Sequence, residues 1–448
     1  MDTNEYKYLS FTSFKDLALW SAAGITFHSI NYNPKYTLVP ICSFLKRSTH
    51  AITLEDGAAY TRLTIKTNNG GIVVRDRRNG CEIGTKKQNI VRVGQFIISK
   101  IDARNGAFGI IPQSLDGAIV TNDFPTFDVI DTVINPTYLL LLTTTKEFMR
   151  FAQTCSSGTT NRQRIDLNLF LSKKIPLPSL EEQDIIVSEY NDKNRKAHDL
   201  EQEAFQIEKG IDAYMLNALD ISKQNKKRKG KSGQFLVFVG LKDLSRWDIY
   251  NEKIICKSSS YKNLRLSDVV ISKPQYGAGF SSVPYNGKIR YIRITDINED
   301  GSLNEDAVSA KEYSERYLLK ENDFLIARSG NTVGKTFLYT KNIGKAIYAG
   351  YLIRFELNNS LIVPDYLLAY TKCSIYKEWI KGNMRISAQP NINSQQYLDS
   401  PIILPPMDVQ NEMVVHIKEQ KSLAKQLKQK AFEMRENALK EFENEIFE

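Results

Sequence analysis

Two long stretches of the chain place apolar or small residues at alternating spacings of three and four, with polar residues between them. In the first, Tyr190, Lys193, Ala197, Leu200, Ala204, Ile207, Ile211, Tyr214 and Ala218 fall on one seam. In the second, Ile417, Gln420, Ala424, Leu427, Ala431, Met434 and Ala438 take the same register, each displaced by 227 residues. A sustained heptad predicts long helices that pair as a coiled coil, and the alanines suit a close approach of the axes. The alternative is a helix that lies on its own domain. Elsewhere the pattern is strand-like. Phe324, Leu325 and Ile326 lead into a glycine turn, and residues 336–340 alternate and are rich in β-formers. The runs "TYLLLLTTTKEFMRFA" and "DYLLAYTKCSIYKEWI" follow Pro136 and Pro364 and read as helices with proline at the first position. The expected fold class is α+β.

The seam is one part of a repeat that covers the chain. "FKDLALW" (Phe14 to Trp20) returns as "LKDLSRW" (Leu241 to Trp247), and "IPLPSLEEQDIIV" (Ile175 to Val187) as "IILPPMDVQNEMV" (Ile402 to Val414), both displaced by 227. "AIVTNDFPTFDV" (Ala118 to Val129) aligns with "AIYAGYLIRFEL" (Ala346 to Leu357), displaced by 228. An ordered series at nearly constant offset means two copies of one unit. The expected organisation is a globular unit at 1–179, a helix at 180–221, a linker at 222–234, a second globular unit at 235–406 and a second helix at 407–448.

Charge follows this division. The formal net charge is +9, yet residues 180–221 carry eleven acidic and four basic side chains, and residues 407–448 carry nine and seven. An acidic helix beside a lysine-rich one gains flanking ion pairs that favour pairing. The remainder is therefore strongly basic. The linker "SKQNKKRKGKSGQ" holds six basic residues and no acid, and the two globular units share the rest, a net +12. This makes DNA a plausible partner, with an ordinary basic surface as the alternative. No stretch reaches the roughly 18–20 apolar residues of a membrane span, and "MDTNEYKYLS" lacks the core of a signal peptide. A cytoplasmic protein without a membrane partner is expected. Cys42, Cys81, Cys155, Cys256 and Cys373 are scattered with no CxxC pair, as are His28, His50, His198 and His416, which argues against a disulfide framework or a metal.

Two stretches imitate catalytic motifs. "ARSGNTVGKTFLY" (Ala327 to Tyr339) ends in Gly334, Lys335 and Thr336 as a Walker A loop does, with Ser329 where the first glycine belongs. A phosphate cradle needs a helix after the loop, and a strand pattern follows instead, so the glycines are expected to make a hairpin turn. In the other copy "VGQFIISKIDARNGAFGI" (Val93 to Ile110) keeps the strand and turn but has no Gly-Lys-Thr. "NPTY" (Asn135 to Tyr138) imitates an amino-methyltransferase loop, but its counterpart "VPDY" (Val363 to Tyr366) lacks the asparagine.

Two variable units, each followed by Pro-x-x-x-x-Gln ("PSLEEQ", "PPMDVQ") and a long helix, resemble the specificity subunit of type I restriction–modification systems. The stretches "GTTNRQRIDLNLFLSKKIPLP" and "ISAQPNINSQQYLDSPIILPP" fit the same family, and the resemblance runs along essentially the whole chain. It implies two target-recognition domains held apart by antiparallel helices, with no catalytic residue, metal or cofactor in this chain. It also implies double-stranded DNA as ligand and two methyltransferase subunits as partners, completed by restriction subunits. The complex would use S-adenosylmethionine, and ATP with Mg²⁺ where a restriction subunit is present.

Two different domains on one chain suit an asymmetric, bipartite DNA site. About 42 helical residues at ~1.5 Å each span roughly 63 Å, which would fix the unread gap. Base edges are read by Arg, Lys, Asn and Gln, while the same residues also serve as phosphate contacts. The candidates are Arg62, Lys100 and Arg104 in the first unit. In the second they are Arg293, Arg328, Asn331, Lys335, Arg385, Gln389 and Asn391. Arg162 and Arg164 stand where the second copy has Gln389 and Asn391, so the units are not expected to read the same bases. Two other classes stay open. Binding of ATP or S-adenosylmethionine by the purified chain would mark an enzyme, and equal affinity for every DNA sequence would mark a coiled-coil scaffold. A subunit of another methylation-based defence system, without a nuclease partner, would share all these features.

Overall fold

A computed structural model describes residues 32–157, 163–221, 258–384 and 390–447. The "FKDLALW" and "LKDLSRW" stretches, the basic linker, His28 and Cys256 lie outside the described residues. The chain forms two units. The first runs to Leu200 and includes Gln429–Glu448, and the second is Glu201–Lys428. Each unit thus contains part of both long helices.

In the first unit, a four-stranded antiparallel sheet has the order Leu45–Ser48, Thr126–Val129, Phe96–Ile98, Phe108–Ile110. Its apolar face packs on α1 (Pro136–Thr144), α2 (Lys146–Thr154) and α3 (Leu167–Ser172). The core joins Phe96, Phe108 and Phe127 to Tyr138, Leu142, Phe148, Phe151 and Phe170. Where the sequence suggests one helix after Pro136, there are two. Thr145 adopts an extended backbone, and its hydroxyl accepts the Phe148 N–H to start α2. A second sheet of five strands, in the order Ala51–Thr53, Lys87–Ile90, Ile119–Val120, Ala59–Ile65, Ile72–Asn79, has one small core of its own and shares another with Ile97 of the first sheet.

The long helix α4 (Leu180–Ala218) follows. In the second unit the four-stranded sheet returns with the same order: Gln275–Tyr276, Leu352–Phe355, Phe324–Ala327, Thr336–Leu338. Here α5 (Pro364–Tyr370), α6 (Ser374–Asn383) and α7 (Ser394–Leu398) supply Tyr366, Tyr370, Tyr376 and Tyr397 to the core. In place of the five-stranded sheet are two small pairings. Arg290–Ile292 runs parallel to Ala346–Tyr348, and Ser282–Pro284 runs antiparallel to Val308–Ala310. The frame is repeated, while the inserted β-structure is not.

The last helix, α8 (Met407–Ile446), closes both units. In the first unit Lys35 pairs with Glu182 at 3.5 Å and Glu445 at 3.0 Å, and Lys193 pairs with Glu441. The start of α4 therefore faces the end of α8. In the second unit Lys428 pairs with Glu208 at 2.7 Å, and the rings of Tyr214 and His416 lie 4.1 Å apart. Within each unit the two helices are antiparallel. Ala197, Ala204, Ala424 and Ala431 are fully buried, and every other seam position is buried or half-buried, as a coiled coil requires.

The Pro-x-x-x-x-Gln motif has a structural reason. Gln183 is fully buried, accepts the Asn135 N–H at 2.7 Å and donates to the carbonyls of Pro178 and Val133. Gln410 repeats this with the Val363 N–H at 2.8 Å and the carbonyls of Pro405 and Leu361. One amide satisfies three backbone groups that would otherwise be left without partners where the domain meets its helix.

Candidate nucleic-acid interface

In each unit the turn after a central strand meets the segment leading into the short helix. In the first, the Ile165 N–H donates to the Lys100 carbonyl at 2.9 Å. In the second, the Ile392 N–H donates to the Arg328 carbonyl at 3.0 Å. Lys100 and Arg328 are thus equivalent, as are Arg164 and Asn391. The short helices that follow are capped by equivalent residues, Asp166 and Asn393.

The Walker-like stretch is a hairpin. Phe324, Leu325 and Ile326 pair with Leu338, Phe337 and Thr336, and a single helical turn at Gly330–Thr332 joins the strands. Gly334 has φ +87°, and a Cβ there would lie 2.8 Å from Ile380, so this position requires glycine. Lys335 donates to the Ile297 carbonyl at 3.2 Å and pairs with Glu299 at 3.0 Å. The methyltransferase-like stretch is a helix start: Asn135 accepts the N–H groups of Thr137 and Tyr138, and the buried Tyr138 hydroxyl donates to the Pro176 carbonyl.

The candidates fall into two overlapping sets. Four described candidates pair with acids: Arg62, Arg293 and Lys335, and also Arg164 at the first of the equivalent turns. Arg62 makes two hydrogen bonds to Asp76, at 2.7 and 2.6 Å, which hold the Asp76 carboxyl below its usual range. Arg293 grips the fully buried Asp296, the shortest contact being 2.7 Å. Lys335 has Glu299. The other described candidates, with Arg164, gather at the equivalent turns. Arg104 donates to Gln163 at 2.9 Å, and its Nε is buried without a partner. Arg164 is exposed and pairs with Asp123 at 3.2 Å, while the Asp123 carbonyl accepts the Lys100 N–H. In the second unit Asn331 is exposed on the turn, and Asn391 bridges to Ser329. Arg162, Arg385 and Gln389 lie outside the described residues.

Sequence reasoning missed the aromatic partners of Arg328. Its guanidinium carbon lies 4.9 Å from the ring centroid of Tyr276 and 6.0 Å from that of Tyr351. The available signal was two tyrosines beside glycines, Tyr276-Gly277 and Gly350-Tyr351. Beneath the same hairpin, Lys372 donates to the Thr336 carbonyl at 3.0 Å, and burial pushes its ammonium down to about 8. Among the described residues no His, Cys, Asp and Glu cluster suits a metal, and no helix is long and apolar enough to cross a membrane.

The family model described as type I restriction modification DNA specificity domain matches residues 46–203 and again 259–431, most of the chain. Among solved structures, a chain of a type I R-M system described for complex assembly and conformational transition aligns over 93% of this chain and 97% of its own. Its identity is 16% and the TM-score 0.57, a likeness of fold. The HsdS subunit from Thermoanaerobacter tengcongensis aligns over 92% and 96% at 16% identity, with a TM-score of 0.46. The S subunit of a type I system from M. genitalium aligns over 93% and 97% at 12% identity, with a TM-score of 0.43. No curated protein sequence matches.

Proposed function

The chain belongs to the type I restriction–modification DNA specificity family, and from that premise we propose that it selects the sequence methylated by a multi-subunit complex. Each unit reads one half of an asymmetric, two-part site on double-stranded DNA. The long helices recruit two methyltransferase subunits and set the unread gap, and restriction subunits complete the assembly. Chemistry belongs to the partners, which use S-adenosylmethionine and, for restriction, ATP with Mg²⁺. This chain contributes recognition without catalysis.

One observation carries this reading. The same backbone node occurs in both units with different side chains on it: Lys100, Arg104 and Arg164 in one, Arg328, Asn331 and Asn391 in the other. A shared frame supports both surfaces, and their different donors and acceptors suit different base edges.

The test is exchange of residues 235–406 for the matching unit of a relative, followed by long-read methylation mapping. One half of the methylated sequence is expected to change while the other stays. A change in both halves together would overturn the assignment of one half-site to one unit. Methylation that ignores sequence in the unexchanged complex would overturn the proposed function itself.

A further inference from the structure

Arg328 shares with Arg104 a buried Nε without a hydrogen-bond partner, but of the two only Arg328 lies against aromatic rings of the described residues. Arg62 and Arg293 are held bidentately by carboxylates, and Arg164 has Asp123. No carboxylate of the described residues lies within ion-pair distance of Arg328. Its Nε is buried with no hydrogen-bond partner. Its guanidinium lies against Tyr276 and Tyr351, which are themselves 37% and 53% exposed. Its backbone is fixed at both ends, since its N–H donates to the Tyr351 carbonyl at 3.0 Å and its carbonyl accepts from Ile392. Tyr276 is fixed in turn, its hydroxyl 3.1 Å from the Ser394 hydroxyl and from the Ser394 N–H at the start of α7.

A half-buried cation with no anionic partner is costly unless a ligand supplies acceptors. Rings packed against a guanidinium hold it in place, and the N–H donors that face neither ring form an edge open to a ligand. That edge matches two ligands in DNA: the O6/N7 pair of guanine and a phosphate. A phosphate site gathers cations. Among the described residues the neighbouring side chains at the node are Asn331, Asn391 and Ser394, neutral groups of the kind that read base edges, and the nearby Lys335 is engaged by Glu299.

We propose that Arg328, clamped by Tyr276 and Tyr351, reads a guanine in the half-site of the second unit and is the main specificity determinant there. This rests on the reading of that unit as a half-site reader. Tyr276 and Tyr351 are positioning residues, which hold the donor edge without touching the base.

The experiment uses the reconstituted complex with its methyltransferase partners. Binding is measured to duplexes carrying each base at every position of the wild-type motif, and methylation is mapped in cells. Arg328→Gln is expected to lower discrimination at one guanine of one half-site by roughly 5- to 150-fold, the scale of one bidentate base contact, and to move preference towards adenine. Tyr351→Leu is expected to relax the same position and no other. The first half-site, still read normally, serves as the control for folding. If Arg328→Gln fails to assemble, Arg328→Met provides the same readout, keeping an unbranched stem and removing the donors to guanine. A uniform loss of affinity with unchanged base preference, together with a shallower salt dependence, would make Arg328 a phosphate contact and overturn the proposal. Relaxation at a different position in the Arg328 and Tyr351 variants would overturn the clamp. A wild-type complex with no two-part motif would instead remove the underlying reading.

Discussion

Replacing Gln410 by leucine tests how the second unit is fastened to its helix. The side chain is fully buried and serves three backbone groups: the Val363 N–H at 2.8 Å and the carbonyls of Pro405 at 2.9 Å and Leu361 at 3.1 Å. Leucine fills a similar volume but leaves these groups unpaired away from water. Each buried unsatisfied group costs about 1–3 kcal/mol, and because the three share one side chain the total is about 3–5 kcal/mol rather than the full sum. One global unfolding energy is poorly defined for a chain of two units, so the assay is hydrogen exchange resolved by peptide. At ~1.4 kcal/mol per factor of ten, amides opening with this junction lose protection by two orders of magnitude or more. The loss is expected at the first turns of α5 and α8, while the junction around Gln183 keeps its protection. Gln410→Glu adds a pH test. A carboxylate facing two carbonyls in a buried site has its folded pKa raised above the unfolded value. The defect is therefore smallest in acid, where the carboxyl is protonated in both states, and grows as pH rises towards the folded pKa. Unchanged protection in Gln410→Leu, or loss spread equally over both units, would refute the reasoning.

Three further outcomes are expected. Seven residues inserted after Ala204 and seven after Ala431 keep both heptads in register and add about 10 Å at ~1.5 Å per residue. Methylation mapping is expected to show the same half-sites with an unread gap longer by about one to three base pairs, at ~3.4 Å each; unchanged spacing with retained activity would remove the helices as the ruler. Lys335→Ala breaks the contacts to Glu299 and the Ile297 carbonyl, and is expected to weaken DNA binding or alter the second half-site while ATP-dependent steps of the complex persist; ATP binding by the isolated chain that the variant abolishes would establish a nucleotide site. Burial holds the Lys372 ammonium at about 8, against an ordinary 10.5, so between those values the unfolded chain binds the extra proton and stability rises with pH. Lys372→Met is expected to remove that rise in denaturant titrations between pH 8 and 10.5, and a rise that persists would assign it to another group.

What was legible in the sequence was local or periodic. The heptad spacing gave the two helices because burial at Ala197, Ala204, Ala424 and Ala431 recurs with the seam itself. The hairpin at 324–338 was legible because β-formers flank the glycines on both sides. The break at Thr145 was missed because an apolar run says nothing against continuation, whereas a threonine hydroxyl in an extended backbone competes for the Phe148 N–H. Charge partners were mostly illegible. Arg62 meets Asp76 only across a hairpin whose register shifts between Arg62 and Leu63, and Lys335 meets Glu299 only through tertiary folding. Arg293 and Asp296 are three residues apart, and that spacing was a usable warning that the arginine is engaged.

The same distinction explains why one frame can serve two different surfaces. The parts that repeat are buried and fully partnered: Gln183 and Gln410, and the Tyr138 and Tyr366 hydroxyls, which donate to the Pro176 and Ile403 carbonyls. A substitution at any of these leaves a polar group stranded, so the two copies are confined to the same solution. The inserted β-structure, a five-stranded sheet in one unit and two short pairings in the other, packs on the frame through apolar side chains: Ile97 clusters with Leu63 and Ile65, and Leu325, Ala327 and Leu352 cluster with Ile292 and Tyr348. Apolar contacts of this kind tolerate exchange better than buried polar groups do, because a volume-conserving apolar swap costs less than a stranded hydrogen-bonding group. The turns bearing Lys100 and Arg328 stand where the two regimes meet. Their carbonyls are fixed by the repeated hydrogen bond from Ile165 or Ile392, while their side chains project from the frame and differ. A backbone held this way presents a new side chain in a nearly constant place, so a change of residue at the node changes chemistry more than geometry.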